Sequence, residues 1–191
     1  MKRISVGYEY PVLSGIDFAV KEGQKVVITG FNGIGKSTLL KTLIGQIPYL
    51  DGTFSFSEQA VIGYYEQNLR WADQEMTPLE IVAEAYPELV VKEVRRHLAR
   101  CGITRQHALQ PVQTLSGGEQ SKVKMCLLTL KPCNFLILDE PTNHLDVQAK
   151  EALRAALCEF KGNVLLVSHE EAFYRGWVQR VIHVDKNRKR R

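Results

Sequence analysis

The sequence feature that most constrains this chain is the stretch GFNGIGKS at residues 30–37, which fits the pattern G-x-x-x-x-G-K-S/T. An apolar run precedes it, and the segment TLLKTLI that follows has the composition of a helix. This pattern binds phosphate when it joins a strand to a helix. We therefore expect a fold built around a phosphate-binding turn.

The residue types in this stretch match the needs of a phosphate chain. Backbone N–H groups of a tight loop and of a helix N-terminus point at the anion, and Gly33 and Gly35 let the backbone approach it closely. Lys36 adds a positive charge for the outer phosphates, and the Ser37 hydroxyl can bind Mg²⁺. The stretch predicts a site for a phosphate chain with Mg²⁺.

Length and composition indicate a globular protein. The chain has 191 residues, 45% hydrophobic and 24% charged, which suits one large domain or two small lobes that share a core. Its apolar runs are far shorter than the roughly 20 residues needed to span a bilayer. Lys2 and Arg3 are not followed by an apolar block, so we expect no secretory signal and a cytosolic location. The four cysteines lack C-x-x-C spacing, which favours reduced, mostly buried thiols over a zinc site or a redox pair.

The positive net charge is concentrated at one end of the chain. The final six residues, 186–191, hold five basic residues and no acidic ones, so the remainder has 20 basic against 21 acidic residues. This tail could contact RNA phosphates or could be a solvated, disordered segment, and both interpretations stay open.

The hydrophobic pattern predicts strands that alternate with helices. The predicted strands are residues 16–20, 26–29, 53–56, 61–65, 135–138, 164–167 and 181–184. Helices are predicted after the phosphate turn, up to Gly45, and then with starts at Thr77, Pro87, Ser116, Asp146 and Ser168. Thr77 with Glu80, and Ser168 with Glu171, have capping-box spacing.

The helix predicted from Pro87 to Gly102 has two distinct faces. One face is apolar and carries Val91, Val94, Leu98 and Cys101. The other is basic and carries Lys92, Arg95, Arg96 and Arg100. A solvated exterior and a surface that faces nucleic acid are the two interpretations of the basic face.

Three predicted buried strands are each followed directly by a residue with a possible role in binding or catalysis. Gly30, Asp139 and His169 should meet at one edge, because the carboxyl ends of parallel strands line the ligand site in such sheets. Asp139 can hold Mg²⁺, and Glu140 can orient or deprotonate a water. His169 can bond a phosphate or hold the water. The plainer alternatives are an acidic pair that ends a strand and a histidine that caps one.

A second anion-binding pattern lies at the start of the helix predicted at Ser116, where Gly117 and Gly118 follow the hydroxyl. A simple helix cap is the alternative. Gln67 follows another apolar strand, and from its spacing alone a functional role and none are equally supported.

Together these stretches resemble an ABC-type nucleotide-binding domain, in the order of that family and over essentially the whole chain. The matching segments are Walker A at 30–37, the Q-loop at Gln67, the signature at 115–120, Walker B at 135–140, the D-loop at 141–146 and the switch histidine at His169. The resemblance implies an α/β fold of the P-loop NTPase type: a mostly parallel sheet, an N-terminal antiparallel β lobe and an inserted helical subdomain. It divides the chain into an ATP-binding core at 1–67 and 131–185, a helical subdomain at 68–130 and the basic tail.

The resemblance also implies roles, with ATP and Mg²⁺ as cofactors. Glu140 would be the general base, His169 would sense the γ-phosphate, and Tyr8, with Tyr10 as second candidate, would stack on adenine. The implied phosphate-binding residues are Asn32, Gly33, Gly35, Lys36, Ser37 and Thr38, with Lys36 also counted as catalytic, and the implied metal ligands are Ser37, Gln67 and Asp139. Ser116, Gly117 and Gly118 would complete the ATP site of a facing second domain.

The segment LSGGEQ at 115–120 and the segment DEPTNHLD at 139–146 resemble those of the ABC-F branch, whose members lack transmembrane domains. This implies a two-domain protein that acts on the ribosome as a translation factor or in antibiotic resistance. Since the chain has one such domain, we expect the C-terminal domain of a longer protein, although Met1 leaves a half-size protein open. Two alternatives remain: the ATPase subunit of a membrane transporter, and a nucleotide-binding module inactive without a partner domain.

Overall fold

The computed structural model describes residues 1–66 and 71–185. The strands are β1 (Lys2–Gly7), β2 (Pro11–Ile16), β3 (Lys25–Thr29), β4 (Tyr49–Thr53), β5 (Ile62–Tyr65), β6 (Phe135–Asp139), β7 (Asn163–Val167) and β8 (Arg180–His183). The helices are α1 (Lys36–Leu43), α2 (Pro78–Ala85), α3 (Val91–Arg100), α4 (Gly117–Leu130), α5 (Val147–Glu159) and α6 (Glu171–Tyr174). Two 3₁₀ turns, His107–Leu109 and Val112–Thr114, lie between α3 and α4.

The strands form two sheets. The larger sheet is parallel, with strand order β5-β6-β7-β3-β8, and the smaller sheet is antiparallel, with order β2-β1-β4. This confirms the predicted α/β class, with a parallel sheet, an antiparallel β lobe and helices.

The central strands β3, β6 and β7 have apolar interiors because both faces of the sheet are buried there. In β6, Ile137 packs into a core with the antiparallel sheet and α1, whereas Leu136 and Leu138 pack on the opposite face against α5 and α6. In β3, Ile28 and Val27 divide in the same way. The sheet therefore lies as a middle layer between two cores.

The helices between β5 and β6 have a core of their own. Its fully buried side chains include Val82 of α2, Val94 and Leu98 of α3, and Val123 and Cys126 of α4. The predicted capping box at the start of α2 is confirmed, since Thr77 and Glu80 exchange hydrogen bonds and Pro78 occupies the first turn. This core fixes the direction of α4.

Two predicted strands are wrong. Residues 17–20 have no strand pairing, because Asp17 and Phe18 form hydrogen bonds with the N-terminal residues instead. The Arg3 amide donates to the Asp17 carboxylate, and the Met1 amine donates to the Phe18 carbonyl. Residues 54–56 also lie outside a strand, since the chain pairs with β1 earlier, over Tyr49–Thr53. The alternating pattern at both places buries aromatic side chains without a ladder.

Two predicted helix starts are also wrong. Helix α3 begins at Val91 rather than at Pro87, and Val91 is 52% exposed, so it does not belong to the buried face. The Ser168 hydroxyl accepts from the Glu170 amide, and α6 begins at Glu171, so Ser168 and Glu171 form no capping box.

The four cysteines are free thiols, but the expectation that most of them are buried is wrong. Cys126 is buried, Cys101 and Cys133 are half-buried, and Cys158 is exposed, because Cys158 lies on the outer side of α5. Among the helices of the described residues, none is both long enough and apolar enough to cross a membrane. The basic tail, 186–191, and Gln67 lie outside the described residues.

Candidate nucleotide site

The register of the parallel sheet brings the predicted site residues to one edge. Asp139 at the end of β6 pairs with Val167 at the end of β7, and Val167 also pairs with Ile28 of β3. Gly30, Glu140 and His169 each follow just beyond those ends. The predicted meeting of these segments at the carboxyl edge of the sheet is therefore observed.

The loop between β3 and α1 has the backbone shape of a phosphate cradle. Gly33 and Gly35 have φ values of 76° and 108°, in the left-handed region that glycine tolerates best. A Cβ on Gly35 would also lie 2.9 Å from Cγ1 of Val12. Both glycines are thus required by conformation, and the second also by its contact with β2.

The Lys36 side chain folds back across this loop. Its Nζ donates hydrogen bonds to the carbonyl oxygens of Gly30, at 2.7 Å, and Phe31, at 3.1 Å. The side chain is buried, which places a positive charge inside the loop where an anion would bind. Around it, Asn32 is exposed on the loop, whereas Ser37 and Thr38 lie half-buried in the first turn of α1.

Asp139 is a buried carboxylate with spare binding capacity. It is 1% exposed, and its Oδ1 has no hydrogen-bond partner among the described residues. Burial raises the pKa of Asp139, a hydrogen bond with Ser37 opposes this, and the Glu140 charge adds to the rise. An orphaned carboxylate oxygen beside a serine hydroxyl is costly unless a cation satisfies it.

These two residues fit the Mg²⁺ that a phosphate chain brings. Mg²⁺ in such sites uses one or two protein ligands and takes the rest from phosphates and water. In the described parts of the chain, no cluster of three or more His, Cys, Asp or Glu could hold a metal by itself. Ser37 and Asp139 are therefore a suitable pair for a cation shared with the nucleotide.

Glu140 and His169 lie in hydrogen-bond contact. The Nδ1 of His169 is 3.0 Å from Oε1 of Glu140, while Oε2 of Glu140 is buried and has no partner among the described residues. Glu140 has a φ of 46°, and its amide donates to the Val167 carbonyl at 2.9 Å. One carboxylate oxygen is thus oriented by the histidine, and the other is enclosed by protein without a hydrogen-bond partner among the described residues.

The segment after His169 is braced from the side of α5. Lys150 forms a 2.6 Å ion pair with Glu170, whose amide donates to the Ser168 hydroxyl. Partial burial acts to raise the pKa of Glu170, but hydrogen bonds with Lys150 and Thr142 leave it lowered. These contacts keep the backbone on either side of His169 in place.

Tyr8 and Tyr10 both lie in the turn between β1 and β2, and they are 68% and 79% exposed. Because Val12 of the same hairpin reaches Gly35, this turn lies on the phosphate-loop side of the antiparallel sheet. Either ring is available for stacking, and the choice of Tyr8 stays a prediction.

The signature turn is built as a helix cap. The Ser116 hydroxyl accepts from the Glu119 amide, the Ser116 amide donates to the Glu119 carboxylate at 2.8 Å, and His107 pairs with that carboxylate at 2.7 Å. Among the described residues, no hydrogen bond or ion pair joins Ser116, Gly117 or Gly118 to the phosphate loop of the same chain. Their role toward a facing domain stays a prediction.

Gln67, the predicted metal ligand after β5, lies outside the described residues, and its role stays a prediction. The preceding residue, Glu66, forms a 3.1 Å ion pair with Lys41 of α1. This contact ties the end of β5 to the helix that carries the phosphate loop.

Sequence reasoning missed two residues near the site. Phe31 is 77% exposed within the phosphate loop, and an aromatic residue in an otherwise polar turn was a usable signal. His144 has a φ of 66° and lies against Gly117 and Gly118, which no sequence pattern indicates.

A phosphate loop, a buried acidic pair and a histidine at one sheet edge define a P-loop nucleotide-binding domain. A family model described as ABC transporter matches residues 13–143. The chain belongs to the ABC family of ATP-binding domains, as predicted.

Curated relatives include an uncharacterized ABC transporter ATP-binding protein, YfmM, of Bacillus subtilis, 44% identical over 91% of this chain. ABC transporter F family member 2 of Arabidopsis thaliana is 38% identical over 96% of the chain, and ATP-binding cassette sub-family F member 3 of Mus musculus is 39% identical over 87%. The chain spans 33%, 28% and 24% of these three proteins. The predicted similarity to the F branch is thus confirmed.

Solved structures share the fold. The ABC cassette MJ0796, described as a dimeric post-hydrolysis state bound to ADP and Pi, has a TM-score of 0.80 at 21% identity, covering 96% of this chain and 93% of that one. A putative ABC transporter ATP-binding protein from Pyrococcus furiosus has a TM-score of 0.79 at 22% identity, covering 96% of this chain and 95% of the other.

Proposed function

We propose that this domain hydrolyses ATP with Mg²⁺ in a head-to-tail pair with a second ABC domain, and that it serves a cytoplasmic protein acting on the ribosome. The observation that carries the ATPase part is the Glu140 carboxylate, with Oε1 held by His169 and Oε2 buried and free of partners among the described residues. A general base needs a carboxylate that is held in a fixed orientation, as Glu140 is.

Each side chain then has a task at a stated atom. Lys36 Nζ binds the outer phosphates, exchanging its carbonyl partners for phosphate oxygens. Ser37 and Asp139, with Gln67, would hold Mg²⁺, which supplies charge neutralisation at the phosphates. Glu140 takes the proton of the attacking water on its carboxylate, and His169 keeps that carboxylate oriented.

Pairing with a second domain is supported by the separation of the two anion-binding turns. The signature turn makes no described hydrogen bond or ion pair with its own phosphate loop, so its N–H groups are available to another molecule. A neighbour by fold, MJ0796, is described as dimeric. In the proposed pair, Ser116, Gly117 and Gly118 complete the site of the facing domain.

The ribosomal partner rests on the resemblance of the LSGGEQ and DEPTNHLD segments to the F branch, and the exposed basic residues of α3 fit such a partner. Resistance to an antibiotic that acts on the ribosome is one form that this role could take. The transporter alternative requires a membrane partner instead.

The test uses the natural full-length gene product with Glu140→Gln, expressed in cells, with ATP present in the lysate. This change should trap the closed state on its target, so we expect sedimentation with ribosomes in a sucrose gradient. Sedimentation with membranes would favour the transporter alternative. Protein only at the top of the gradient would contradict the ribosomal role and leave the ATPase proposal standing.

A further inference from the structure

The segment that follows Glu140 lies directly against the start of α4. The His144 carbonyl oxygen is 2.6 Å from the position that a Cβ on Gly118 would occupy. The imidazole Cγ is 3.4 Å from the corresponding position on Gly117. Backbone of one segment therefore touches backbone of the other, and Gly118 has no room for a side chain.

His144 reaches this position through an uncommon conformation. Its φ of 66° is in the left-handed region, which histidine enters more readily than most residues other than glycine, asparagine and aspartate. The side chain is exposed apart from its contact with the glycines, so burial in a core does not account for the conformation. The left-handed backbone of His144 instead brings its ring and carbonyl against Gly117 and Gly118.

The segment is anchored on both sides of His144. At its beginning, the Glu140 amide is bonded to the Val167 carbonyl of β7. At its end, Asp146 caps α5 through the Ala149 amide at 2.7 Å and pairs with Lys122 of α4 at 3.2 Å. The anchors on both sides hold the segment that carries His144 beside the glycines.

We propose that His144 is a positioning residue for the signature turn: its ring and carbonyl fix the direction of the N–H groups of Gly117 and Gly118. The first N–H groups of a helix have no partners within the helix, so their direction determines which anion they can bind. That the anion is the nucleotide of a facing domain rests on the proposed function. The placement of the turn by His144 does not.

Three variants test this in the Glu140→Gln chain. His144→Gly removes the ring but keeps the left-handed backbone available. His144→Asn keeps that backbone and a smaller planar polar group, so it should rescue part of the effect. Val147→Ala is the control, since Val147 is 72% exposed at the start of α5, three residues after His144.

Two binding measurements separate positioning from general damage. In His144→Gly we expect ATP affinity of the single chain within about twofold of the parent, and ATP-driven association of two chains weakened by about tenfold, equal to the loss of roughly one good contact. His144→Asn should fall between His144→Gly and the parent. Association equal to that of Val147→Ala, or an equal loss of ATP affinity, would overturn the proposal.

A third measurement does not depend on pairing. The amides of Glu119 and Gln120 donate to Ser116 in the turn. Their hydrogen exchange in the nucleotide-free chain should be about tenfold faster in His144→Gly, because the turn opens locally more often. If ATP does not drive association of two parent chains, the pairing part of the proposed function is wrong, and hydrogen exchange becomes the test of His144. Unchanged exchange of these amides in His144→Gly would then refute the positioning role.

Discussion

The Nδ1 atom of His169 lies 3.0 Å from Oε1 of Glu140. An ionised carboxylate only accepts hydrogen bonds, so Nδ1 must carry a proton when Glu140 is charged. The other ring nitrogen then donates to a phosphate only in the imidazolium form. The two residues therefore form one unit, in which the proposed base is oriented by the residue that we propose to contact the phosphate.

Glu140→Gln should retain ATP binding and slow hydrolysis by about 10²–10⁴-fold, the usual loss of a general base. Glutamine preserves the shape of the side chain and a carbonyl oxygen that can accept from His169. Single-turnover hydrolysis and equilibrium ATP binding measure the two effects separately. Undiminished turnover would show that Glu140 is not the base.

Asp139→Asn should stabilise the nucleotide-free fold at neutral pH. Burial raises the pKa of Asp139, so between the usual aspartate pKa and the raised one the folded chain binds more protons than the unfolded chain. Stability therefore falls as pH rises through that window, and the charged form at pH 7 is the less stable one. We expect a higher Tm without Mg²⁺ in the variant, and a smaller pH dependence of Tm on the acid side.

The same substitution should weaken Mg²⁺-dependent ATP binding, because the buried carboxylate is proposed to face the cation. A matched control is Asp146→Asn, which changes an exposed aspartate that caps α5. A lower Tm in Asp139→Asn, or ATP binding that responds to Mg²⁺ as in the parent, would contradict this account of the residue.

Tyr8→Ala should lower ATP affinity by about 1–3 kcal/mol, the typical value of base stacking on an aromatic ring. Tyr10→Ala is the matched control, since Tyr10 lies in the same turn and is equally available to solvent. Binding of ATP and of inorganic triphosphate distinguishes a stacking loss, which affects only ATP. A loss in Tyr10→Ala alone would transfer the role to Tyr10.

The basic face of α3 should contribute to the proposed ribosome association. Lys92, Arg96 and Arg100 are exposed and four residues apart, and none forms an ion pair among the described residues. Reversal of all three to glutamate should weaken co-sedimentation of the full-length protein and reduce its salt slope, by about 0.7–0.9 for each lost phosphate contact.

The control for that reversal is a second triple substitution to glutamate, at the exposed residues Lys21, Lys131 and Lys161. It changes the net charge equally but leaves α3 intact. Equal weakening in both triple variants would assign the effect to overall charge. No weakening in either would support the interpretation of this face as a solvated exterior.

The sequence predicted the central sheet well because its strands are buried on both faces. Apolar runs such as 135–138 and 164–167 are most readily placed as buried strands. Since parallel strands end at the same side of a sheet, the residues that follow these strands share its carboxyl edge. The expectation that Asp139, Glu140 and His169 meet there needed no knowledge of side-chain contacts.

The antiparallel lobe was expected, but the bounds of its strands were predicted poorly. Strand β1 forms a hairpin with β2, in which Gly7 pairs with Pro11, and it also pairs with β4 much further along the chain, which no local pattern shows. Conversely, residues 16–20 alternate as a strand would, yet Phe18 is buried without ladder pairing.

Within the site, the sequence could not predict contacts that depend on loop conformation. The left-handed backbone of Glu140 and the approach of His144 to Gly118 arise from how the 141–146 segment is held between β7 and α4. Residue identities alone do not determine such geometry. The sequence motifs identified the candidate site residues, whereas the packing of the 141–146 segment determined which of them are in contact.

Mixing two inactive variants tests the central claim, an ATP site shared between two domains, most directly. Lys36→Ala removes the charge that binds the outer phosphates, and Ser116→Asp keeps a good helix cap while placing a repelling charge in the signature turn. Each variant alone should hydrolyse ATP poorly. The account predicts that the mixture regains hydrolysis, because one mixed site combines an intact phosphate loop with an intact signature turn. Activity of the mixture no higher than the sum of the separate variants would contradict it.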